Sequence, residues 1–284
     1  MSGETFDTEA WLRRIGHTGA RAPTLAVLTE IVRAQAASIP FENIDVLLGR
    51  VPKLDLASLQ AKLVTGGRGG YCFELNGLLR AGLLSLGFSV TGLIARVIRG
   101  QEPGASGPAT HMMLRVDLPE GPFLADTGFG NQTPTRPLAM TPDIEQTTPH
   151  EPMRLLPAGD ELVLQARLVE TWQTIYRISP RPPLDVDYEV GNWFTATHPN
   201  SPFVDNLIVA RPGPDGARFT LFNGRVTARD AAGRAERSLL DSPAAIRTEL
   251  AARFGLALTE ADMAAALEVL DRKGTRGAAH PLWA

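Results

Sequence analysis

Apolar residues recur at helical spacing through residues 1–87 and at alternating spacing from Phe88 onward. The first stretch predicts four helices. Trp11, Leu12 and Ile15 share one helical face that stops at Gly16. Thr24 can cap a second helix carrying Leu25, Leu28, Ile31 and Val32, which must end before Pro40 because the residue ahead of a proline is pushed out of helical geometry. Asp55 can cap a third, with Leu56, Leu59 and Leu63 on one side and an end at Gly66-Gly67. The fourth starts near Cys72 and carries Leu75, Leu78, Leu79 and Leu83 to a stop at Gly87. Each cap offers a side-chain oxygen to N–H groups that have no partner at a helix start. In the alternating part, Val90 to Ile98 reads as a strand, and His111 to Leu118 with Pro122 to Asp126 as a hairpin around Pro119-Glu120-Gly121. Glu161 to Val169 and Thr171 to Ile178 follow the same period. Arg218 to Phe222 and Arg225 to Ala228 flank Asn223-Gly224, a strong two-residue hairpin signal. Helical signals return with Ser242 before Pro243 and with capping-box spacing from Thr259 to Asp262.

Helices, then strands, then a mixed tail favour an α+β fold over a doubly wound sheet. The expected divisions are 1–87, 88–190 and 191–284, the middle one a barrel or sandwich. The net charge of −3, with both signs interspersed, lacks the basic clusters of a nucleic-acid binder. No apolar run approaches the ~20 residues of a membrane helix, so no membrane partner is expected. The stretch Met1 to Ala10 is acidic and polar, unlike a secretory signal, and there is one cysteine; both point to a reducing, cytoplasmic setting.

That cysteine closes the run Arg68-Gly69-Gly70-Tyr71-Cys72, at the predicted first turn of a helix. A helix start carries partial positive charge, which favours the thiolate, the nucleophilic form. A thiol nucleophile needs a base, and the base needs a group that holds its tautomer. His111 and Asp126, 15 residues apart on two strands expected to pair, offer those roles. Taken singly, each residue has a plainer reading: a buried small hydrophobe, a hydrogen-bonded structural histidine, a turn aspartate. One cysteine and five scattered histidines give no ligand-spaced pair, so no metal is expected. Gly66-Gly67-Arg68-Gly69-Gly70 lacks the Lys-Ser/Thr ending of a phosphate loop.

The run Arg68-Gly-Gly-Tyr-Cys72-Phe-Glu-Leu-Asn76 resembles the active-site signature of the arylamine N-acetyltransferases. Ile39 to Asp45, Ala125 to Gly130, and Ser201-Pro202-Phe203 through Asn206-Leu207 and Arg211 resemble three further motifs of that family, in order. The resemblance covers nearly the whole chain. It implies an N-terminal helical bundle, a central β-barrel and a C-terminal α/β lid joined by an interdomain helix, with a cysteine-proteinase-like Cys-His-Asp core. It implies acetyl transfer from acetyl-CoA to an arylamine, an arylhydrazine or the oxygen of an N-hydroxyarylamine, ping-pong through an acetyl-cysteine, in xenobiotic metabolism. Cys72 would be the nucleophile, His111 the base and acid, and Asp126 the group that orients His111. Glu42 and Arg68 would pair and brace the Cys72 loop. Phe41 and Phe129 would wall the aromatic acceptor pocket. Gly70, Tyr71 and Thr110 would flank the pantetheine arm of coenzyme A. Trp193 and His198 read as structural, and Arg99 to Ala109 as a mobile loop at the cleft mouth. The lack of a long insertion between barrel and lid looks like bacterial members. Two other classes share these residues: a thiol-triad acyl-CoA hydrolase or amidase, and a non-catalytic scaffold for coenzyme A or an aromatic ligand.

Overall fold

The fold, a computed structural model, is described for residues 5–240 and 242–279; the first four residues of the acidic N-terminal stretch lie outside that range. Helix α1 (Thr8–Ile15) starts under Asp7, whose carboxylate accepts the Ala10 N–H at 2.9 Å, and ends at Gly16 with φ 69°. Glycine holds that left-handed geometry without strain. Helix α2 (Leu25–Ser38) starts where Thr24 Oγ1 accepts the Val27 N–H. A two-residue strand, β1 (Phe41–Glu42), and a short helix, α3 (Ile44–Leu47), follow. Helix α4 (Leu56–Leu59) is capped by Asp55 and runs on as a wider π turn over Gln60–Thr65. The expected single α-helix widens here because Gly66 closes an i→i+5 bond to Ala61 at 2.8 Å, where a Cβ would sit 2.9 Å from two carbonyl oxygens. Helix α5 (Cys72–Ser85) completes the helical part.

Eight antiparallel strands come next: β2 (Ser89–Val97), β3 (Ala109–Leu118), β4 (Gly121–Ala125), β5 (Leu138–Ala139), β6 (Glu145–Gln146), β7 (Met153–Ala158), β8 (Glu161–Leu168) and β9 (Thr171–Ile178). Their order is β5-β4-β3-β2-β9-β8-β7-β6. The two edges come together through one side chain: Gln146 Oε1 accepts the Ala139 N–H at 2.7 Å, and Gln146 Nε2 donates to the Ala139 carbonyl at 2.9 Å. The sheet is thereby a nearly closed barrel, filled by Leu93, Met113, Leu124, Leu155, Leu164 and Ile175.

Helix α6 (Asp185–Thr197) leads to a second sheet. Strands β10 (Ile208–Pro212), β11 (Arg218–Phe222), β12 (Arg225–Arg229) and β13 (Ala235–Leu239) extend from β1 in the order β1-β10-β11-β12-β13. Helices α7 (Pro243–Phe254) and α8 (Glu260–Lys273) cover it, burying Leu250, Phe254, Met263 and Leu270 against Val209 and Leu221. Helices and sheets are segregated along the chain, the α+β arrangement that the order of elements predicts. The first 87 residues are not purely helical, since β1 is the edge of the second sheet. The expected division at residue 190 falls inside α6. Trp193, expected to be structural, is 61% exposed, whereas His198 stacks on Phe194 with centroids 4.3 Å apart. Among the described residues no helix is long and apolar enough to cross a membrane.

Candidate active site

Cys72 is the first residue of α5, and the loop before it is stitched to β1. The Glu42 N–H donates to the Gly70 carbonyl at 2.9 Å, and the Gly70 N–H to the Pro40 carbonyl at 3.3 Å. Close approach explains the two glycines. A Cβ on Gly69 would lie 2.3 Å from the Pro40 oxygen, and one on Gly70 2.7 Å from the Glu74 carboxylate. Arg68 reaches Glu42 Oε1 with Nε at 2.9 Å and Nη2 at 2.7 Å, so these two charges meet behind the loop.

The thiol of Cys72 points at the start of β3 and donates to the Thr110 carbonyl at 3.5 Å. Thr110 is an extra residue in the ladder: His111 faces Ala95 and Ala109 faces Arg96, which leaves Thr110 unpaired in a bulge. Bulges re-aim side chains, and this one precedes the histidine. His111 Nε2 is 2.8 Å from Asp126 Oδ2. The ring's other nitrogen, Nδ1, is left for the sulfur.

Asp126 lies one residue beyond the end of β4 and is fully buried. Its Oδ1 accepts from Asn76 Nδ2 at 2.9 Å and from the Gly128 N–H at 2.8 Å; its Oδ2 accepts from His111 and from the Tyr176 hydroxyl at 3.0 Å. Asn76 sits one helical turn after Cys72, so one face of α5 carries both the sulfur and a donor to the acid. Asn76 Oδ1 takes the Thr127 N–H at 2.9 Å. Gln35 extends the chain: its Nε2 donates to the Leu75 carbonyl and to Thr127 Oγ1, both at 2.9 Å, and its Oε1 accepts from Trp11 Nε1 at 2.9 Å. Gly128 is needed for contact, since a Cβ there would lie 2.8 Å from Cys72 Cα.

Burial alone would discharge His111. The charge of Asp126 and the hydrogen bond to it, with a smaller contribution from Cys72, outweigh burial and lift the ring to about 10. Burial likewise disfavours the Asp126 carboxylate, but His111, Asn76 and Gly128 hold it below the usual carboxylate range. The ring is therefore an imidazolium near neutral pH, with its countercharge built in. Phe129 meets it edge-on and Tyr176 lies tilted over it, each with centroids 4.9 Å away.

The remaining expected residues divide. Phe41 packs on Phe203 at 6.0 Å, in the core shared with the helices, and Phe129 belongs to the barrel core, so the two do not form one stack. The Tyr71 side chain is 1% exposed and its hydroxyl is bound to Asn192. Burial, with the nearby Glu74, raises that phenol well above the ordinary range. Gly70 has both backbone groups taken by Pro40 and Glu42. Thr110 is half-buried beside the thiol. Asn76 and Tyr176 were not singled out from the sequence. Asn76 could have been, from its spacing of four after Cys72; Tyr176 gives no signal beyond strand periodicity. A cleft of about 980 Å³ is lined by Arg99, Arg154, Arg167, Arg218 and Arg229, where the barrel meets the second sheet. Among the described residues no group of three or more His, Cys, Asp or Glu could hold a metal ion.

A thiol at a helix start beside a buried, carboxylate-held imidazolium can form and break thioesters, the chemistry of thiol acyltransferases and hydrolases. The comparisons separate these classes. A family model described as N-acetyltransferase matches residues 24–263. The chain is similar to the arylamine N-acetyltransferase of Mycobacterium tuberculosis strain H37Rv, at 43% identity over 268 residues, covering 93% of this chain and 94% of that protein. It is 38% identical over 256 residues to the arylamine N-acetyltransferase / N-hydroxyarylamine O-acetyltransferase of Salmonella typhimurium, covering 88% of this chain and 91% of that one. The solved structure of Mycobacterium marinum arylamine N-acetyltransferase in complex with CoA matches with TM-score 0.87 at 40% identity, covering 93% of this chain and 99% of the other. The chain belongs to the arylamine N-acetyltransferase family.

Proposed function

We propose that this protein transfers the acetyl group of acetyl-CoA to the nitrogen of an aromatic amine or arylhydrazine, or to the oxygen of an N-hydroxyarylamine, through an acetyl group on Cys72. The observation that carries the mechanism is the 2.8 Å contact between His111 Nε2 and Asp126 beside the thiol at the start of α5. His111, as imidazolium, holds the proton that Cys72 gives up, and the thiolate adds to the thioester carbonyl. The backbone N–H groups of Cys72 and Phe73 have no partner among the described residues and can hold the developing oxyanion. Collapse breaks the bond to the coenzyme sulfur, which leaves with the proton from His111. The aromatic amine, neutral at pH 7, attacks the acetyl-cysteine, gives its proton to His111 and departs acetylated, and the thiolate is restored.

Cys72, His111 and Asp126 then form a cysteine-proteinase-like catalytic triad. Phe129 beside His111 is placed to meet an aryl ring. Phe41 is a wall of the same pocket only if the ring also reaches Phe203. The arginine-lined cleft suits the phosphorylated end of coenzyme A. Residues 1–87, 88–190 and 191–284 are read as helical bundle, barrel and lid, with α6 as the connecting helix. The setting is read as cytoplasmic and the role as xenobiotic metabolism. The hydrolase and scaffold alternatives are not favoured by the comparisons.

Intact-protein mass after incubation with acetyl-CoA alone tests the reading. A gain of one acetyl group on Cys72, removed by adding an arylamine, is expected. No gain would end the acetyl-cysteine mechanism, and coenzyme A release at the same rate with or without amine would make the protein a hydrolase.

A further inference from the structure

Helix α5 begins unusually. A Ser, Thr, Asp or Asn normally precedes a helix and takes the amides of its first turn. Here that position is Tyr71, whose ring is buried elsewhere, and the N–H groups of Cys72 and Phe73 are left unclaimed among the described residues. One amide at this turn is claimed by a side chain, and it lies behind the nucleophile: the Tyr71 N–H donates to Glu74 Oε2 at 3.1 Å. This is half of a capping box, the half that steadies the turn without covering the amides ahead of it.

Glu74 is buried, and a buried carboxylate needs a partner. Lys62 Nζ supplies it, 2.7 Å from Glu74 Oε1 and 2.6 Å from Asp45 Oδ2. Arg68 completes the cluster, with Nη2 2.7 Å from Glu42 and 3.5 Å from Asp45. Outside it, Arg50 bridges Asp45 and Asp262 at 3.6 and 3.0 Å. The charges sit on β1 (Glu42), α3 (Asp45), the π turn (Lys62), the loop before α5 (Arg68) and α5 (Glu74), with Arg50 just after α3 and Asp262 on α8 at the border. Burial, opposed by Lys62, lifts the Glu74 carboxyl to about 7. Gly70 makes the arrangement possible, because any side chain there would meet the Glu74 carboxylate.

We propose that Glu74, anchored by Lys62, is a positioning residue for the oxyanion site: by holding the Tyr71 N–H it aims the Cys72 and Phe73 amides at the acyl oxygen. The role rests on the acetyl-transfer reading above. It differs from a role in making the thiolate, because it acts only where an oxyanion forms.

Two reactions of Cys72 separate these roles. Acetylation by acetyl-CoA passes through an oxyanion; alkylation by iodoacetamide does not. In the full chain, Glu74→Leu and Gly70→Ala are each expected to slow single-turnover acetylation roughly ten- to a hundredfold, part of the 10²–10³ for a lost oxyanion donor, with alkylation held to about threefold. The second variant changes no charge; its Cβ would lie 2.7 Å from Glu74 Oε2 and would displace the carboxylate. It carries the test if Glu74→Leu fails to fold. Glu74→Gln keeps one acceptor oxygen for two donors, Lys62 Nζ and the Tyr71 N–H, and is expected to slow acetylation less than Glu74→Leu does, with alkylation close to wild type. Parallel losses of acetylation and alkylation would overturn the inference, as would full acetylation in Gly70→Ala. A wild type that alkylates but never acetylates would sink the acetyl-transfer reading itself, and this inference with it.

Discussion

Tyr176→Phe deletes one oxygen atom and nothing else. The hydroxyl donates to Asp126 Oδ2 at 3.0 Å, in a site from which water is excluded. Asp126 keeps three donors in the variant: Asn76, Gly128 and His111. The phenylalanine ring can keep the contacts of Tyr176 with His111 at 4.9 Å and with Phe129 at 5.1 Å, so packing is not the variable. A hydrogen bond to a charged group contributes about 1.5–3 kcal/mol. At roughly 2–4 °C per kcal/mol for a chain of this size class, Tm is expected to fall by roughly 3–12 °C. If about 1.4 kcal/mol of the loss is felt in the transition state, acetylation of Cys72 slows about tenfold. Thermal melts and single-turnover acetylation, followed by intact mass, measure the two effects on the same preparation. An unchanged Tm together with an unchanged rate would show that the hydroxyl contributes nothing to the acid, and the four-donor description of Asp126 would be wrong.

Cys72→Ser is expected to fold with little change in Tm and to take up no acetyl group from acetyl-CoA; an acetylated serine variant would mean that another group is the nucleophile. Asp126→Asn removes the charge that holds His111 as imidazolium and is expected to cut activity by roughly 10⁴-fold, as loss of a triad carboxylate does elsewhere; activity within a fewfold of wild type would contradict the role. The His111 ring rises from 6.5 to about 10 on folding, so its contribution to stability is complete below pH 6.5 and is lost as the pH climbs toward 10. The wild-type Tm should therefore fall between pH 6.5 and 10 by more than that of Asp126→Asn, and parallel curves would show that the pair is not coupled to folding.

The helix starts could be read from the chain because capping is local. Thr24, Asp55, Ser242 and Thr259 each accept an N–H three residues on. Helix α6 escaped the apolar pattern because its periodicity is inverted. It buries Tyr188, Gly191, Asn192, Thr195 and Ala196 and exposes Val186, Val190 and Trp193. Small and polar residues face inward there because the neighbours are close: a Cβ on Gly191 would lie 2.8 Å from the Phe73 ring. The two-residue strands β1, β5 and β6 are too short for a period to register. In the site, Cys72, His111 and Asp126 could be picked by type and spacing. Their supports could not, since Gln35 and Tyr176 act across 92 and 50 residues of sequence. Such contacts are set by packing rather than by local pattern.

The donor from β9 also sets an order of events during synthesis. From residue 72 to residue 176 is 104 residues, and at about 5–20 residues per second the ribosome needs roughly 5–20 s to make them. Throughout that interval the nascent thiol lacks the complete set of groups that surrounds it in the finished enzyme. Reactivity at Cys72 is thus a late acquisition of the growing polypeptide, and a translation product stopped before β9 would carry the sulfur with its acid only partly supported.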